Sequence, residues 1–217
     1  MGDLETVYDN RFSERDAAAK ERIWREIARY LQRWFPPDGS ILDVACDRGD
    51  FIRHVEARQR WATDVRDVSA NLPPDVRFVR ADGRDLLRVL APASFDGVFM
   101  SNYLEHLPSS DDVVEQLRVG AGLLRPGGRL VILQPNIRHT GPAYWDFIDH
   151  RTPLTERSLV EAAEIAGLRT VAVVGRFLPY TTKGRLPTHP LLVRGYLACP
   201  PIWRLMGRQT LYVGERP

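Results

Sequence analysis

The stretch that most constrains the fold of this 217-residue chain runs from residue 40 to residue 51 and reads SILDVACDRGDF. An apolar run, interrupted only by Asp43, leads into a turn of small and polar residues, and a helical pattern begins at Asp50. A short apolar run bounded by a turn predicts a buried strand, and an acidic residue in the first turn of a helix is favoured by the helix dipole. We therefore predict a strand, a tight turn and a helix, an arrangement that lets backbone N–H groups approach a ligand closely.

The rest of the chain alternates between strand-like and helix-like patterns. A long amphipathic helix is predicted over residues 13–35, and further helices begin after Ser109 and Thr155, each a residue type that caps helices. The other predicted strands span residues 60–65, 76–82, 95–102, 129–136, 170–177 and 209–215. Strands that alternate with helices indicate the α/β class and a doubly wound parallel sheet. We expect one domain over residues 1–217, with a lid-like helical insertion at residues 178–208.

Polar residues follow four of the predicted strands at their carboxyl ends: Asp43, Asp64, Asp82 and Asn102. Ligands of such sheets bind outside the carboxyl ends of the strands, where the strand order switches. Asp64 lies about 20 residues beyond the turn, the spacing of an acidic residue that binds ribose hydroxyls. Asp82 could accept a hydrogen bond from an adenine amino group, and Gly83 would leave the ring edge accessible. The strand ends therefore predict an adenosine-containing ligand.

The charge distribution indicates which partners the chain would attract. The formal net charge is +2, so a general nucleic-acid binder is not indicated. Between Glu164 and Glu215, however, there is no acidic residue, whereas seven basic residues occur, Lys183 and Arg185 among them. This basic C-terminal lobe favours an anionic acceptor or contact with an anionic membrane surface.

Cysteine usage and hydropathy bear on the compartment. Cys46 and Cys199 do not make a disulfide framework, which favours a reducing compartment. The sequence MGDLETVYDN lacks the pattern of a secretory leader, and no run approaches the roughly 18 apolar residues of a spanning helix. We expect a cytoplasmic protein.

Five segments together resemble the class I S-adenosylmethionine (SAM)-dependent methyltransferase family. They are ILDVACDRGDF, the ATD that ends at Asp64, RADGRDL, SFDGVFMSNYLEHL and LLRPGGRLVILQPN, and the resemblance covers about residues 5–217. Two further segments, YWDFIDHRTPLTERSLVEAAEIAGL and RFLPYTTKGRLP, resemble a bacterial subgroup often associated with surface-polysaccharide or glycan biosynthesis. The resemblance implies a Rossmann-like seven-stranded sheet, SAM as cofactor and S-adenosylhomocysteine (SAH) as product.

The resemblance also assigns individual residues to parts of the cofactor. Those assigned to the methionine end, the ribose, the adenine and the sulfonium region are, in chain order, Asp43, Ala45, Cys46, Asp47, Gly49, Asp64, Asp82, Gly83 and Asn102. The family pattern is D-x-G-x-G-x-G, whereas this chain has Ala45 and Asp47 at the first two glycine positions. Asp tolerates left-handed backbone, and its carboxylate could pair with the ammonium of SAM or crowd it.

Methyl transfer to a hydroxyl benefits from a general base. His150 is the first candidate, with Asp149 beside it as the group that orients the imidazole. His106 is the second candidate, with Glu105 as a helper, and no metal is expected. Residues expected to contact the acceptor are Tyr144, Trp145, Tyr180, Lys183 and Arg185, with His139 as a weaker candidate.

The function predicted is SAM-dependent methyl transfer to a hydroxyl of a small or glycan-type acceptor. One alternative is a protein of the same fold that binds SAM weakly and acts as a partner or regulatory subunit, which the substitutions at Ala45 and Asp47 would favour. Another is a nicotinamide-dependent dehydrogenase, against which the missing G-x-G-x-x-G pattern counts. The oligomeric state is left open.

Overall fold

The structure, a computed structural model, describes residues 14–180 and 189–217. Seven strands form one sheet: β1 (Ser40–Val44), β2 (Gln59–Asp64), β3 (Val76–Arg80), β4 (Phe95–Ser101), β5 (Leu124–Pro135), β6 (Arg169–Leu178) and β7 (Gln209–Glu215). The α-helices are α1 (Glu14–Leu31), α2 (Leu86–Val89), α3 (Ser110–Leu123), α4 (Ile137–Thr140), α5 (Glu156–Ile165), α6 (Pro190–Leu197) and α7 (Pro200–Met206). The α/β class predicted from the sequence is confirmed.

The strand order is β3-β2-β1-β4-β5-β7-β6, so the order reverses between β1 and β4. The carboxyl ends of β1, β2 and β4 therefore meet at one edge, where doubly wound sheets bind their ligands. The expectation of an all-parallel sheet is wrong for β7, which runs antiparallel to both β5 and β6. Gln209 at the start of β7 pairs with Leu178 at the end of β6. The chain therefore leaves β6 and enters β7 at the same end of the sheet, so the two strands run in opposite directions.

Two apolar clusters cover the two faces of the sheet. All five residues of β1 are buried, as expected for a central parallel strand that is covered on both sides. One face packs against α3 and α5 through residues such as Leu117 and Leu159. The other face packs against α1 and the two helices that precede β7, through residues such as Leu31 and Trp203.

The structure confirms that helices begin after Ser109 and after Thr155, as predicted. The Ser109 side chain accepts a hydrogen bond from the backbone N–H of Asp112, and Thr155 forms a reciprocal capping box with Ser158. These hydroxyls satisfy backbone N–H groups that have no partner within the first turn of a helix. Residue 13, where the predicted N-terminal helix begins, lies outside the described residues.

The helix predicted to begin at Asp50 is not formed. Residues 49–55 instead make consecutive hydrogen-bonded turns: the N–H of Arg53 reaches the carbonyl of Gly49, whereas that of His54 reaches the carbonyl of Phe51. Alternation between four-residue and three-residue spacing prevents a regular helical ladder. Phe51 and Ile52 are nevertheless buried, so the apolar pattern correctly identified the inward face.

The described part of the insertion before β7 packs on α1. Glu26 of α1 is only 4% exposed, and its carboxylate accepts two hydrogen bonds of 3.0 Å from the guanidinium of Arg194 on α6. The Trp203 indole of α7 donates to the carbonyl of Tyr196 at 2.7 Å. These contacts fix α6 and α7 beside the sheet. The lid function expected for residues 178–208 stays a prediction.

Two glycines should respond in opposite directions to substitution by alanine. A Cβ at Gly97, in the middle of β4, would lie 2.4 Å from the Phe35 ring, so we expect Gly97→Ala to lower the free energy of unfolding by about 1–3 kcal/mol. A Cβ at Gly195, inside α6, would meet no described atom within 4 Å, so Gly195→Ala should raise the same quantity by about 0.5–1 kcal/mol. Urea unfolding of both variants measures the difference. A Gly97→Ala variant at least as stable as the wild type would contradict this packing of β4 against Phe35.

Candidate active site

The turn that follows β1 keeps a left-handed backbone at three alternating positions. The angle φ is 55° at Ala45, 49° at Asp47 and 71° at Gly49. The backbone therefore has the conformation of a turn with three glycines, although only one of the three residues is glycine. Left-handed backbone costs an L-residue about 1–2 kcal/mol, so this turn is held against the local preference of Ala45. Gly49 has a second reason to be glycine, because a Cβ there would lie 2.3 Å from Cδ2 of Leu72.

The Asp64 carboxylate, at the end of β2, is joined to this turn. Its Oδ2 accepts a hydrogen bond of 3.0 Å from the backbone N–H of Asp47, and its Oδ1 accepts one of 3.0 Å from the backbone N–H of Arg66. The Arg66 guanidinium also bonds Asp64 Oδ1 at 3.2 Å and Asp47 Oδ1 at 2.8 Å. Lys20 of α1 lies 3.8 Å from Asp47 and 2.6 Å from Asp50. The carboxylate at the second glycine position is thus directed towards basic groups of the protein itself.

Sequence reasoning missed both of these basic residues. Arg66 stands two residues after Asp64, and that spacing, typical of a side chain that folds back on a strand-end carboxylate, was the available signal. Lys20 belongs to a helix some 25 residues earlier, and only the packing of α1 brings it to the turn.

Asp43 is an acidic residue buried within β1. Burial raises its pKa well above the usual range, and the negative charges of Asp50, Asp64 and Asp47 raise it further. The backbone N–H of Ile52 opposes this shift by hydrogen-bonding the carboxylate. Lys20 and Arg66, which lie against the other three acidic residues, offset part of this repulsion.

Cys46 belongs to the apolar core beside the turn. It is 6% exposed, and burial raises the pKa of its thiol, which disfavours the reactive thiolate. Its backbone N–H donates a hydrogen bond of 2.9 Å to the carbonyl of Thr63, and the predicted contact of Cys46 with the cofactor stays a prediction.

Asp82 follows β3, which ends two residues earlier than predicted. Its carboxylate caps the next turn, and the hydrogen-bonded Arg84 guanidinium holds its pKa below the usual range. A Cβ at Gly83 would lie 2.4 Å from the Tyr103 hydroxyl and 2.7 Å from the Gln116 amide oxygen, so packing also favours glycine there. Its part in leaving the adenine ring edge accessible stays a prediction.

A second group of polar residues forms where the segment after β4 meets the loop after β5. Asn102 directly follows β4, has a left-handed φ of 47° and is exposed. His106 follows, and its Nδ1 lies 3.1 Å from the backbone carbonyl of Asp149 and 3.5 Å from the carboxylate of the same residue. Asp149 therefore contacts His106, the second of the two predicted bases, and the His106 and His150 rings lie edge to face at 5.1 Å between centroids. The orientation of the His150 imidazole by Asp149 stays a prediction.

Glu105 lies between these elements with no exposed surface. Its Oε1 is 3.9 Å from Nε2 of His106, and burial raises the pKa of its carboxyl. Among the residues that the structure describes, neither carboxylate oxygen has a hydrogen-bond partner. The nearby Gln134 amide favours the charged form without reaching hydrogen-bonding geometry. The side-chain ligand atoms of Glu105, His106 and His150 all lie within 4.8 Å of one another.

A family model described as a methyltransferase domain matches residues 14–173, which is most of the chain. The chain belongs to this methyltransferase family. The match extends from α1 into β6, so it includes the turn after β1, Asp64, His106 and His150. The enzyme is a SAM-dependent methyltransferase with the Rossmann-like class I fold, and SAM is its cofactor.

Solved structures with the same fold include a SAM-dependent methyltransferase from Archaeoglobus fulgidus, with a TM-score of 0.64, 18% identity, and coverage of 88% of this chain and 94% of that one. A SAM-dependent methyltransferase from Mesorhizobium loti has a TM-score of 0.62 and 20% identity, with coverage of 86% and 95%. The geranyl diphosphate C-methyltransferase of Streptomyces coelicolor A3(2), in complex with Mg²⁺, geranyl diphosphate and SAH, has a TM-score of 0.60 and 14% identity, with coverage of 88% and 78%. No match was found among curated proteins.

The residues at the edge of the sheet fit the cofactor of this methyltransferase. SAM carries positive charge on its sulfonium and ammonium groups, and the turn brings together the acidic residues Asp43, Asp47, Asp50 and Asp64, of which the last three pair with Lys20 or Arg66. Asp64 also offers acceptor oxygens to ribose hydroxyls, which would compete with the Arg66 guanidinium for them.

No described helix combines the length and the apolar composition that a membrane span requires.

The residues predicted to contact the acceptor have different surroundings. Tyr144 is fully buried, and its hydroxyl donates a hydrogen bond of 2.7 Å to the carbonyl of Thr152, so it stabilises the loop from within. Trp145 is 55% exposed beside it, at 5.0 Å between ring centroids, and is available for stacking on a ligand. Tyr180 lies against Phe147 at 5.8 Å between ring centroids. His139 lies in the short helix α4, and Lys183 and Arg185 fall outside the described residues.

The left-handed conformation of Ala45 can be tested by stability. Ala45→Gly should raise the free energy of unfolding by about 0.5–1 kcal/mol, because relief of the backbone strain exceeds the added entropy of the unfolded chain. Ala91→Gly is the matched control, since Ala91 is exposed and has no positive φ, and it should lower that free energy by a similar amount. Chemical denaturation of both variants compares them. Destabilisation by Ala45→Gly would show that the turn does not strain Ala45.

Proposed function

We propose that this methyltransferase transfers the methyl group of SAM to a hydroxyl oxygen of a small or glycan-type acceptor. The observation that carries the proposal is the cluster of Glu105, His106, Asp149 and His150 at the edge of the sheet where SAM binds. Imidazoles oriented by a carboxylate are the groups that most often take the proton of an attacking hydroxyl. The exposed Trp145 in the same loop supports an acceptor with a ring that can stack.

SAM, when bound, supplies a methyl group on a positively charged sulfur; the acceptor oxygen forms the new O–CH₃ bond while the C–S bond breaks and its electron pair stays on sulfur. The protein has to hold that oxygen in line and to take its proton. We assign the proton to the histidine cluster. His106, with Nδ1 against Asp149, becomes the first candidate and His150 the second, the reverse of the order expected from the sequence.

An anionic or phosphate-linked sugar is the acceptor class that we favour. The acid-free C-terminal lobe keeps the side chains of Arg176, Arg204 and Arg208 exposed, and such a surface attracts anions. Lys183 and Arg185 stay predicted partners of a phosphate or carboxylate. The exposed Leu205, on the same helix as Arg204, also supports contact of this lobe with an anionic membrane that carries a lipid-linked acceptor.

The alternative of a regulatory subunit with weakened SAM binding has less support. It rests on the side chains at positions 45 and 47, but the backbone there keeps the left-handed conformation. Incubation of the protein with methyl-labelled SAM and a panel of sugars, nucleotide sugars and lipid-linked glycans tests the proposed function. Label on a hydroxyl of any of these acceptors would support it, and label found only on a nitrogen or carbon of another class would overturn it.

The ribose contact assigned to Asp64 should be visible in the affinity for SAH. Asp64→Ala should weaken SAH binding by about 1–3 kcal/mol, or roughly 5- to 140-fold, because ribose hydroxyls lose their acceptor in a buried site. Asp75→Ala removes a carboxylate at the opposite end of the sheet, where it pairs with Arg60, and should leave SAH affinity unchanged. Calorimetry compares the two. Equal affinities for wild type and Asp64→Ala would refute the contact.

The histidine cluster should be needed for turnover but not for cofactor binding. With an acceptor in hand, His106→Asn should reduce turnover by about 10²- to 10⁴-fold, the typical contribution of a general base, while SAH affinity stays near that of the wild type. His189→Asn is the matched control, because His189 caps α6 far along the chain and Asn caps helices equally well. Undiminished turnover of His106→Asn would transfer the assignment to His150.

A further inference from the structure

We propose that Glu105, His106 and His150 form a binding site for a first-row divalent transition-metal ion such as Zn²⁺. The proposal deepens the proposed function, because the ion would sit where the acceptor hydroxyl is expected. Metal binding itself, however, requires neither SAM nor an acceptor.

The chemical types of the three ligand side chains support a metal site. Two imidazoles and one carboxylate are the ligands of many catalytic sites for zinc and other transition metals, which leave a position open for water or substrate. Bonds of about 2.0–2.2 Å place tetrahedral ligand atoms roughly 3.4 Å apart. The ligand atoms lie within 4.8 Å of one another, so side-chain rotations need to bring them closer by no more than roughly 1.4 Å.

The burial of the Glu105 carboxylate also supports a bound cation. A fully buried carboxylate whose oxygens both have no hydrogen-bond partner among the described residues is costly to keep in a folded protein. It is not an isolated surface charge, because its Oε1 points towards Nε2 of His106 at 3.9 Å. A bound cation would satisfy this carboxylate.

The hydrogen bonds around the three donor residues also support a metal site. Imidazoles that bind metals generally donate their other N–H to a carboxylate or a backbone carbonyl, and Nδ1 of His106 meets both in Asp149. The backbone carbonyl of Glu105 accepts hydrogen bonds from the N–H groups of Arg151 at 2.8 Å and Thr152 at 3.1 Å. The two segments that carry the ligands are therefore tied together at the position of the site.

The packing of the second imidazole supports the same assignment. The His150 ring stacks on Phe147 at 5.0 Å between centroids and lies 4.6 Å from the Tyr144 ring. These aromatic neighbours restrict the ring orientation and reduce access of water, which favours retention of an ion. An ion bound here would lower the pKa of a coordinated acceptor hydroxyl, which could then release its proton to water while His106 and His150 hold the ion. The proton-accepting role proposed above for His106 applies to the protein without a bound ion.

Titration calorimetry of the tag-free protein with ZnCl₂, followed by Co²⁺ absorption spectroscopy, tests the site without SAM or acceptor. We expect one Zn²⁺ per chain and a visible Co²⁺ spectrum with nitrogen ligands. His106→Asn, His150→Asn and Glu105→Gln should each weaken Zn²⁺ binding at least roughly tenfold, whereas His189→Asn should bind as the wild type does. MgCl₂ at the same concentrations should bind more weakly, because Mg²⁺ prefers oxygen ligands.

Wild-type protein that binds no Zn²⁺, or ligand variants that all bind like the wild type, would overturn the proposal. Tighter binding of Mg²⁺ than of Zn²⁺ would overturn the assignment to a transition metal. If Glu105→Gln does not fold, as judged by thermal unfolding without metal, the two partly exposed histidine variants still decide the question. Zn²⁺ binding without methyl transfer to a hydroxyl would support the metal site and count against the proposed function. Methyl transfer to a hydroxyl without Zn²⁺ binding would support the proposed function and overturn the metal site.

Discussion

The hydrogen bond from the backbone N–H of Asp47 to the Asp64 carboxylate joins the turn after β1 to the end of β2. A turn that places Ala45 and Asp47 in left-handed backbone is unfavourable in isolation, so contacts outside the turn have to hold it. Asp64 and the guanidinium of Arg66 provide such contacts, because together they bind both the backbone and the side chain of Asp47. The backbone geometry of a glycine-rich cofactor loop is thereby retained with a different sequence.

The N-terminal helix connects this turn with the opposite end of the chain. Lys20 of α1 forms an ion pair with Asp50 beside the turn, while Glu26, less than two helical turns further along, binds Arg194 of α6. One helix thus contacts both the region assigned to SAM and the helices before β7. Glu26 is almost completely buried, whereas the Arg194 side chain is about half exposed, so solvent screens this ion pair from the arginine side.

The histidine cluster depends on a different pairing of segments. The carbonyl of Glu105, just after β4, accepts the N–H groups of Arg151 and Thr152, at the end of the loop after β5. Since β4 and β5 are parallel neighbours, their carboxyl ends deliver both segments to the same edge. The Thr152 hydroxyl donates to the carbonyl of Leu107, which makes this junction a second point of attachment. The histidine cluster, to which we assign the acceptor's proton, is therefore built on the same edge of the sheet as the turn after β1.

The alternation of apolar runs and helical patterns determined the α/β class, the strand positions and the acidic strand ends Asp43 and Asp64, because these features depend on local periodicity and on the common direction of parallel strands. Periodicity could not give the direction of β7, which depends on the edge at which the chain re-enters the sheet. Nor could it decide whether residues 49–55 form a helix or only turns, since the two bury the same side chains. Several features of the site depend on residues that are distant in sequence. They are the ion pairs of Lys20 and Arg66 with Asp47, the contact of Asp149 with His106, and the burial of Glu105. Only the tertiary structure decided these, because the energy of such contacts depends on the distance between side chains in space.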